Sequence, residues 1–243
     1  MKGNGVTRLS VAGEVCAAFP GLRIDAVVAD GFDGMEPWPE VEDALAALEA
    51  AAAAGKPVAS GEDDPHIASW HAAYRAFGTN PNRVRPSVDA LRRRLARAGR
   101  LPRVNPAVDC YNLVSASSGV PAGAFDLRQV AGDIIVRFAD GTEAFTPLGE
   151  PETVQNPRPG EVVYADAEGV LTRHWNHRDA ERTKVTVASD RIVFLVETVE
   201  AGAFGAAVEA AALELTNLLL SRSDAVAVYP VTAESPVAVF EGA

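Results

Sequence analysis

The segment RIVFLVETV, residues 191–199, constrains the fold of this chain more than any other stretch. It is mostly apolar and β-branched, which is typical of a strand in the centre of a β-sheet. Glu197 interrupts it, and a carboxylate in an apolar strand is costly unless it has a partner. Two interpretations of Glu197 stay open: a pocket carboxylate that binds a polar group of a ligand, or a residue at the exposed end of the strand, on the same face as Leu195.

The order of the predicted elements favours an α+β fold over a regular alternation of strands and helices. We predict a mixed β-sheet flanked by helices, in a single domain over residues 1–243. The predicted elements are two strands within residues 9–28 around a Pro20-Gly21 turn; helices over residues 40–54 and 66–77, and from a Ser87 cap to Gly99; hairpins through Asp140-Gly141 and residues 167–169; strands at residues 183–187 and 191–199; a helix over residues 204–220; and two strands in the tail.

Composition argues against several classes of protein. The chain has 243 residues and a net charge of −11, so its surface as a whole repels nucleic acid and anionic membranes. Its two cysteines, Cys16 and Cys110, form no CxxC pair, so we expect neither a disulfide framework nor a zinc site, and we expect Cys110 to be packed. No apolar run reaches about 18 residues, and the start lacks a signal-peptide pattern. High alanine and arginine with little lysine is typical of GC-rich bacteria. We expect a cytoplasmic protein without metal or cofactor.

Arginines form the one strongly basic block in this acidic chain. Eight of them lie between residues 83 and 103, against a single acid, Asp89. The apolar residues Val88, Leu91 and Leu95 are spaced by three and four, which predicts an amphipathic helix. Guanidinium groups match phosphate geometry, so the block is a candidate for nucleic acid binding. The alternative is a solvated helix face whose arginines pair with acids elsewhere.

Two further polar stretches carry no complete catalytic motif. The tract RHWNHRD, residues 173–179, offers two histidines without a third zinc ligand, and is either a substrate contact or a polar hairpin end. In the second case we expect Trp175 to be half-buried and Asp179 to pair with Arg178 or Arg182. The tract VSASSG, residues 114–119, lacks the G-x-S-x-G pattern of a serine hydrolase and is predicted to form a loop.

The segments VNPAVDCYNLV and GVPAGAFD resemble two consecutive motifs of the B3/B4 domain of the phenylalanyl-tRNA synthetase β subunit. Their order and spacing hold over residues 85–137, and the whole chain resembles freestanding B3/B4 proteins. The resemblance implies N-terminal strands and a helix over residues 1–69, a core like the synthetase editing module over residues 70–200, and a C-terminal helix and strands over residues 201–243. In the synthetase, this α+β module hydrolyses the ester of a wrongly charged amino acid, usually tyrosine on the phenylalanine tRNA.

The resemblance also implies a substrate pocket. Asn112 falls on the pocket asparagine of the family, and Glu197 on the glutamate that binds the hydroxyl group of tyrosine. Tyr111 stands where the family has threonine, and Gly123 where it has histidine, so both replacements fall at the pocket. The tract that replaces the family's glycine-rich segment supplies further candidates for substrate contacts, and the arginine helix supplies candidate tRNA contacts: His174, Asn176, His177 and Arg178 in the tract, and Arg92, Arg93 and Arg97 on the helix.

The implied function is a trans-editing deacylase that binds the aminoacylated 3′ end of a tRNA. A positioned water and the terminal ribose hydroxyl would act in place of a protein nucleophile. We expect no amino acid ligase activity, because the sequence lacks the synthetase catalytic domain, and no DNA or membrane partner. Two alternatives stay open. One is a non-catalytic tRNA- or RNA-binding module, in which Tyr111 and Gly123 mark a lost active site; the other is a protein that binds small amino-acid-like molecules in the same pocket.

Overall fold

The structure, a computed structural model that describes residues 7–241, has an α+β fold. Residues 1–6 and 242–243 of the predicted single domain lie outside the described residues. The helices are α1 (Gly13–Ala18), α2 (Pro39–Ala53), α3 (Pro65–Ala76), α4 (Ser87–Ala98), α5 (Pro106–Ser118) and α6 (Ala201–Leu219). The strands are β1 (Thr7–Val11), β2 (Arg23–Asp30), β3 (Ala122–Asp126), β4 (Ile134–Phe138), β5 (Val162–Ala165), β6 (Val170–Arg173), β7 (Arg178–Asp179), β8 (Arg191–Thr198), β9 (Ala225–Thr232) and β10 (Val237–Phe240).

The strands form two sheets where the sequence predicted one. A mixed sheet has the order β10-β1-β4-β5-β6-β7, in which β1 and β4 run parallel. An antiparallel sheet has the order β3-β8-β2-β9. Because β8 pairs with β3 on one side and β2 on the other, the prediction of a central strand over residues 191–199 is confirmed.

Successive residues of β8 face two different cores, as the two-residue period of a strand requires. Val193 and Leu195 belong to a cluster between the two sheets, and Ile192, Phe194 and Val196 belong to a cluster with the helices α2, α5 and α6. The four-stranded sheet is therefore a middle layer between the six-stranded sheet and these helices. The same period places Glu197, two residues after Leu195, toward the six-stranded sheet.

Three predicted strand elements are wrong. The segment after β1 forms the short helix α1 before the Pro20-Gly21 turn. The Asp140-Gly141 turn forms, with Gly141 at φ +93°, but β4 pairs with β5 and not with the residues that directly follow the turn. Residues 183–187 form no strand, and in that segment the Ser189 hydroxyl accepts a bond from the Thr186 N–H at 3.0 Å.

Two predictions about helix ends are also wrong. The tract VSASSG belongs to α5, where the Ser117 and Ser118 hydroxyls donate to the Val114 carbonyl, a bond that serines form readily inside helices. Gly119, at φ +79°, ends the helix. Ser87 is the first residue of α4 and does not cap it, because Pro86 occupies the N-cap position.

Other elements agree with the sequence. The helix predictions over residues 40–54, 66–77 and 204–220 match α2, α3 and α6 to within a few residues, and Gly99 ends α4 at φ +68°. The hairpin through residues 167–169 joins β5 to β6, and the tail forms β9 and β10. Over residues 7–241, no helix combines the length and the hydropathy needed to cross a bilayer.

Candidate functional site

Helix α5 presents three polar side chains on one face. The helix is fixed at its start by Asn105, whose side-chain oxygen caps the first turn, and at its end by Gly119. Tyr111, Asn112 and Ser115 are spaced by three and four residues, so they share a face of the helix. All three line a cavity of about 430 Å³, within the size range of small-molecule sites.

The other walls of this cavity come from both sheets, from helix α4 and from the turn between β6 and β7. Gly123 of β3 lies there, and the space where its Cβ would stand is open, with no atom within 4 Å. No side chain therefore narrows the cavity at this position. The remaining polar lining is Ser87, Arg94, Tyr164, Thr172, Asn176, His177, Asp179 and Glu197.

Glu197 lies at the centre of a buried hydrogen-bond network. Its Oε2 accepts from the Tyr164 hydroxyl at 2.7 Å and from Trp175 Nε1 at 3.0 Å, and its Oε1 accepts from Asn176 Nδ2 at 2.9 Å. The Tyr74 hydroxyl in turn donates to Asn176 Oδ1 at 2.8 Å. Burial raises the pKa of Glu197 to about 7, although all three donors favour the ionised form. Glu197 is 3% exposed, so the interpretation as an exposed strand end is wrong.

A strained turn carries Trp175 and Asn176 to this network. His174 and Trp175 are the two non-glycine residues of the described chain with positive φ, at +49° and +68°. Such backbone is held only where the surroundings determine it. Here Glu161 accepts from the His174 N–H at 3.1 Å, while Glu197 holds the side chains that follow. Trp175 is fully buried, so the prediction that it is half-buried is wrong.

A basic groove of about 460 Å³ lies next to the cavity. Ala90, Arg94 and His177 line both spaces, so cavity and groove share a wall. The His177 Nδ1 lies 2.8 Å from the Arg85 carbonyl oxygen, which can only accept, so Nδ1 carries the proton and Nε2 is free to accept one. Partial desolvation of the ring, followed by the charge of Arg178, lowers the pKa of His177, which keeps the ring neutral at pH 7. The other groove residues are Arg83, Arg85, Arg93, Arg97, Ala98 and Arg100.

The three arginines predicted to contact tRNA have different surroundings. Arg92 is tied into the protein: it donates to Asp64 at 2.7 Å and to the carbonyls of Ala116 and Ser117, at the end of α5. Arg93 pairs with the buried Asp89 at 2.7 Å but also lines the groove. Arg97 lines the groove, and no acid within residues 7–241 forms an ion pair with it.

The other predicted contacts divide into two groups. The residues that meet in the cavity are Tyr111, Asn112, Gly123, Asn176, His177 and Glu197.

His174 and Arg178 lie outside it. His174 Nδ1 bonds the Thr79 hydroxyl at 2.9 Å, and Arg178 pairs with Glu150 at 2.7 Å. Their side chains serve the packing of the surrounding loops.

Sequence reasoning missed six polar residues of the cavity wall: Ser87, Arg94, Ser115, Tyr164, Thr172 and Asp179. Ser115 lies one helical turn after Tyr111 and Asn112. If the sequence analysis had predicted a helix at residues 114–119, it would have placed Ser115 on the same face as these two residues. Asp179 was expected to pair with Arg178 or Arg182 and pairs with neither. No group of three His, Cys, Asp or Glu side chains in residues 7–241 is arranged to hold a metal ion.

A family model described as "B3/4 domain" matches residues 69–215. Among curated proteins, the phenylalanine–tRNA ligase β subunit of Chromobacterium violaceum is 35% identical over 155 residues, which is 61% of this chain and 19% of that protein. The corresponding subunit of Corynebacterium jeikeium is 32% identical over 149 residues, 59% of this chain and 17% of that protein. That of Nocardia farcinica is 37% identical over 101 residues, 42% of this chain and 12% of that protein. The chain thus spans less than a fifth of the length of these relatives.

Among solved structures, the chain is similar to an N-terminal fragment of the phenylalanyl-tRNA synthetase β subunit from Pyrococcus horikoshii. The two are 15% identical, with a TM-score of 0.46, and the superposition covers 88% of this chain and 48% of that one. The fold described above follows from the strands and helices of the chain itself and does not depend on this superposition.

Proposed function

The chain belongs to the B3/4 domain family, and from that premise we propose that it binds the aminoacylated 3′ end of a tRNA and hydrolyses the ester of a mischarged amino acid. One observation carries the proposal: an amino-acid-sized polar cavity and an arginine-lined groove share a wall formed by Ala90, Arg94 and His177. An aminoacyl group is joined directly to a ribose and its phosphates. A protein that binds this end of a tRNA needs a cavity for the acyl group beside a cationic surface for the phosphates.

The groove supplies that cationic surface in spite of the net charge of −11. Arg94 and Arg97 form no ion pair with acids in the described part of the chain, so their charge is available to an external anion. Phosphate binding acts over short distances in salt, because the Debye length is about 8 Å at physiological ionic strength. A local group of unpaired guanidinium groups therefore outweighs acids elsewhere on the surface.

The proposed reaction is addition of water to the ester carbonyl, followed by cleavage of the bond between the acyl carbon and the ribose oxygen. The ribose oxygen takes a proton and leaves as the free hydroxyl of the tRNA, and the acyl group leaves as a free amino acid. His177 Nε2 is suited to accept the proton of the attacking water, directly or through the neighbouring ribose hydroxyl, because its ring is neutral and its Nδ1 is held by Arg85.

Asn112 is suited to stabilise the oxyanion that develops on the carbonyl oxygen. Its side-chain amide lines the cavity and has no hydrogen-bond partner within residues 7–241. An amide donor that is already positioned stabilises the developing charge without reorganisation. Removal of one such donor typically costs about 10²- to 10³-fold in rate.

The proposal is tested by a deacylation screen. Purified protein is mixed with a panel of correctly and wrongly charged tRNAs, and loss of the amino acid is timed. We expect one mischarged species to be hydrolysed while its correctly charged counterpart is spared. Asn112→Ala should lower kcat/KM by about 10²-fold or more, whereas Asn82→Ala, on the exposed surface, should leave it unchanged. Equal rates of hydrolysis for wild type and Asn112→Ala would exclude Asn112 as a residue of the active site.

A non-catalytic RNA-binding module is the second candidate, and the open space at Gly123 favours it. At that position the family resemblance expects a histidine, which this chain does not supply. If no tRNA in the panel is deacylated and salt-sensitive tRNA binding is present, this alternative replaces the deacylase. If neither hydrolysis nor tRNA binding is seen, the cavity belongs to a protein that binds small amino-acid-like molecules.

A further inference from the structure

Asp179 brings to the cavity a carboxylate that has no cationic partner within residues 7–241. It stands at the end of β7 and lines the same space as Tyr111 and Glu197. Among the described residues, the one side-chain bond to its carboxylate comes from the Thr172 hydroxyl, at 2.6 Å to Oδ1. The nearby arginines pair with other acids. Arg178 pairs with Glu150 and Arg182 pairs with Asp166, each at 2.7 Å.

The charges around Asp179 leave its second oxygen uncompensated. Glu197 is a further acid on the cavity wall, and burial raises the pKa of Asp179 to about 6, so Asp179 is still mostly ionised at pH 7. Arg94 lines the same cavity but forms no ion pair with Asp179 or Glu197, and His177 is neutral. A half-buried carboxylate without a counterion is unfavourable, and a cation supplied by a ligand offsets this cost.

Ser115 provides a second, independent observation. It is 2% exposed and lines the cavity, and its buried hydroxyl oxygen has no hydrogen-bond partner within residues 7–241. Buried hydroxyl groups are normally bonded, so an unpaired one in a cavity wall indicates a polar group of a ligand. An ammonium group has three donors and can use a hydroxyl oxygen together with a carboxylate.

We propose that Asp179 is a substrate-binding residue that pairs with the α-ammonium group of the aminoacyl ester, with the Ser115 hydroxyl as a second acceptor. This inference rests on the proposed function for the identity of the ester. It defines the substrate class: the cavity accepts esters with a free amino group and discriminates against esters of hydroxy acids and N-acylated amino acids. Specificity of this kind follows because a ligand without the ammonium leaves the carboxylate unpaired.

The first test compares two esters that differ in one group. Nitrous acid treatment of the intact aminoacyl-tRNA that serves as substrate replaces its amino group by a hydroxyl and leaves the ester in place. We expect wild-type protein to favour the amino ester by about ten- to a hundredfold in kcat/KM. Asp179→Asn, which keeps an oxygen for the Thr172 hydroxyl, should lose this preference by slowing the amino ester alone. Asp43→Asn, on the exposed side of α2, is the matched control and should keep it. Equal rates on both esters for wild type, or equal slowing of both by Asp179→Asn, overturn the inference.

The second test measures binding without hydrolysis, so that failure of the two proposals can be told apart. Calorimetry at pH 6.5 compares the amides of alanine, leucine, phenylalanine and tyrosine with their counterparts that lack the amino group. Tighter binding of at least one amine, lost in Asp179→Asn, supports the assignment of Asp179 even if no tRNA is deacylated. If all four pairs bind equally or fail to bind, Asp179 has no such role, whatever the deacylation screen shows.

Discussion

The cavity and the groove share a wall, yet Glu197 in the cavity and Arg97 in the groove have opposite surroundings. In the cavity, Glu197 accepts three hydrogen bonds from buried donors of the protein itself. In the groove, Arg97 forms no ion pair with the acids of the described chain, although acids outnumber bases, 33 to 22, in the whole sequence. The first arrangement fixes the shape of a binding site, and the second leaves charge available to a partner.

This difference indicates which side chains the fold depends on. A residue bonded inside the protein cannot be removed without leaving buried groups unpaired, whereas an unpaired surface arginine contributes little to stability. The same contrast occurs along helix α4, where Arg92 belongs to the first class and Arg97 to the second. Function and stability are therefore expected to separate on substitution, and the following predictions test that separation.

Glu197→Ala should produce the largest loss of stability. It removes the acceptor of Tyr164, Trp175 and Asn176 at once, and leaving such buried groups unpaired costs about 3–5 kcal/mol. For a chain of this size, that lowers Tm by roughly 10 °C or more in a thermal melt. Asn112→Ala in the same cavity is the control, and should cost less than about 1 kcal/mol because its amide has no partner in the described residues. Similar losses for the two variants would mean that the network does not stabilise the fold.

Arg92→Ala and Arg97→Ala are a matched pair on one helix. Arg92→Ala should destabilise the protein by about 2–3 kcal/mol, because it removes the ion pair with Asp64 and the bonds to the carbonyls of Ala116 and Ser117. Arg97→Ala should change stability by less than about 0.5 kcal/mol, but should weaken tRNA binding and reduce the slope of log K against log salt by about 0.7–0.9. Thermal melts and filter binding over a salt series measure both. An unchanged salt slope in Arg97→Ala would exclude this arginine as a phosphate contact.

The sequence predicts those parts of the fold that depend on local chemistry. The Ala-, Leu- and Glu-rich helix α2 and the apolar strand β8 are of this kind, because propensity and burial favour the same element. The prediction of a hairpin through Asp140-Gly141 was wrong, because these residues specify a turn but do not determine which strand pairs with β4. Division of the strands into two sheets depends on such pairings between distant segments, which no local pattern records.

The candidate site divides in the same way. Asn112 and Gly123 follow from motif resemblance, and the structure places both in the cavity. The sequence analysis did not predict that Arg92 is bonded inside the protein while Arg97 is not. The apolar spacing indicated it, because Arg92 lies four residues after Val88 and therefore beside the buried face of α4. The unpaired state of Asp179 could not be predicted, because it depends on where Glu150 and Asp166 lie after folding.

The pH dependence of stability tests whether the cavity acids are costly to ionise. Burial raises the pKa of Glu197 to about 7 from its ordinary 4.5, so the folded state binds a proton more tightly than the unfolded state. Stability is therefore greatest below the unfolded pKa and falls as pH rises toward 7. Between pH 5 and 8, wild type should lose about 2 kcal/mol more than Glu197→Gln. Urea unfolding at several pH values measures this, with the exposed Glu40→Gln as the control that should follow wild type. A parallel pH profile for wild type and Glu197→Gln would show that Glu197 does not titrate in this range.

Gly123→Ala should have the smallest effect on stability and tests the shape of the cavity. A Cβ at this position meets no atom within 4 Å and the backbone is not left-handed, so the new methyl group fits without strain. Alanine in a strand is favoured over glycine by about 0.5–1 kcal/mol, so Tm should stay constant or rise slightly. Since the methyl group projects into the cavity wall, hydrolysis of the bulkiest accepted acyl group should slow more than that of smaller ones. If Gly123→Ala leaves kcat/KM unchanged for every acyl group, the acyl group lies elsewhere than beside β3.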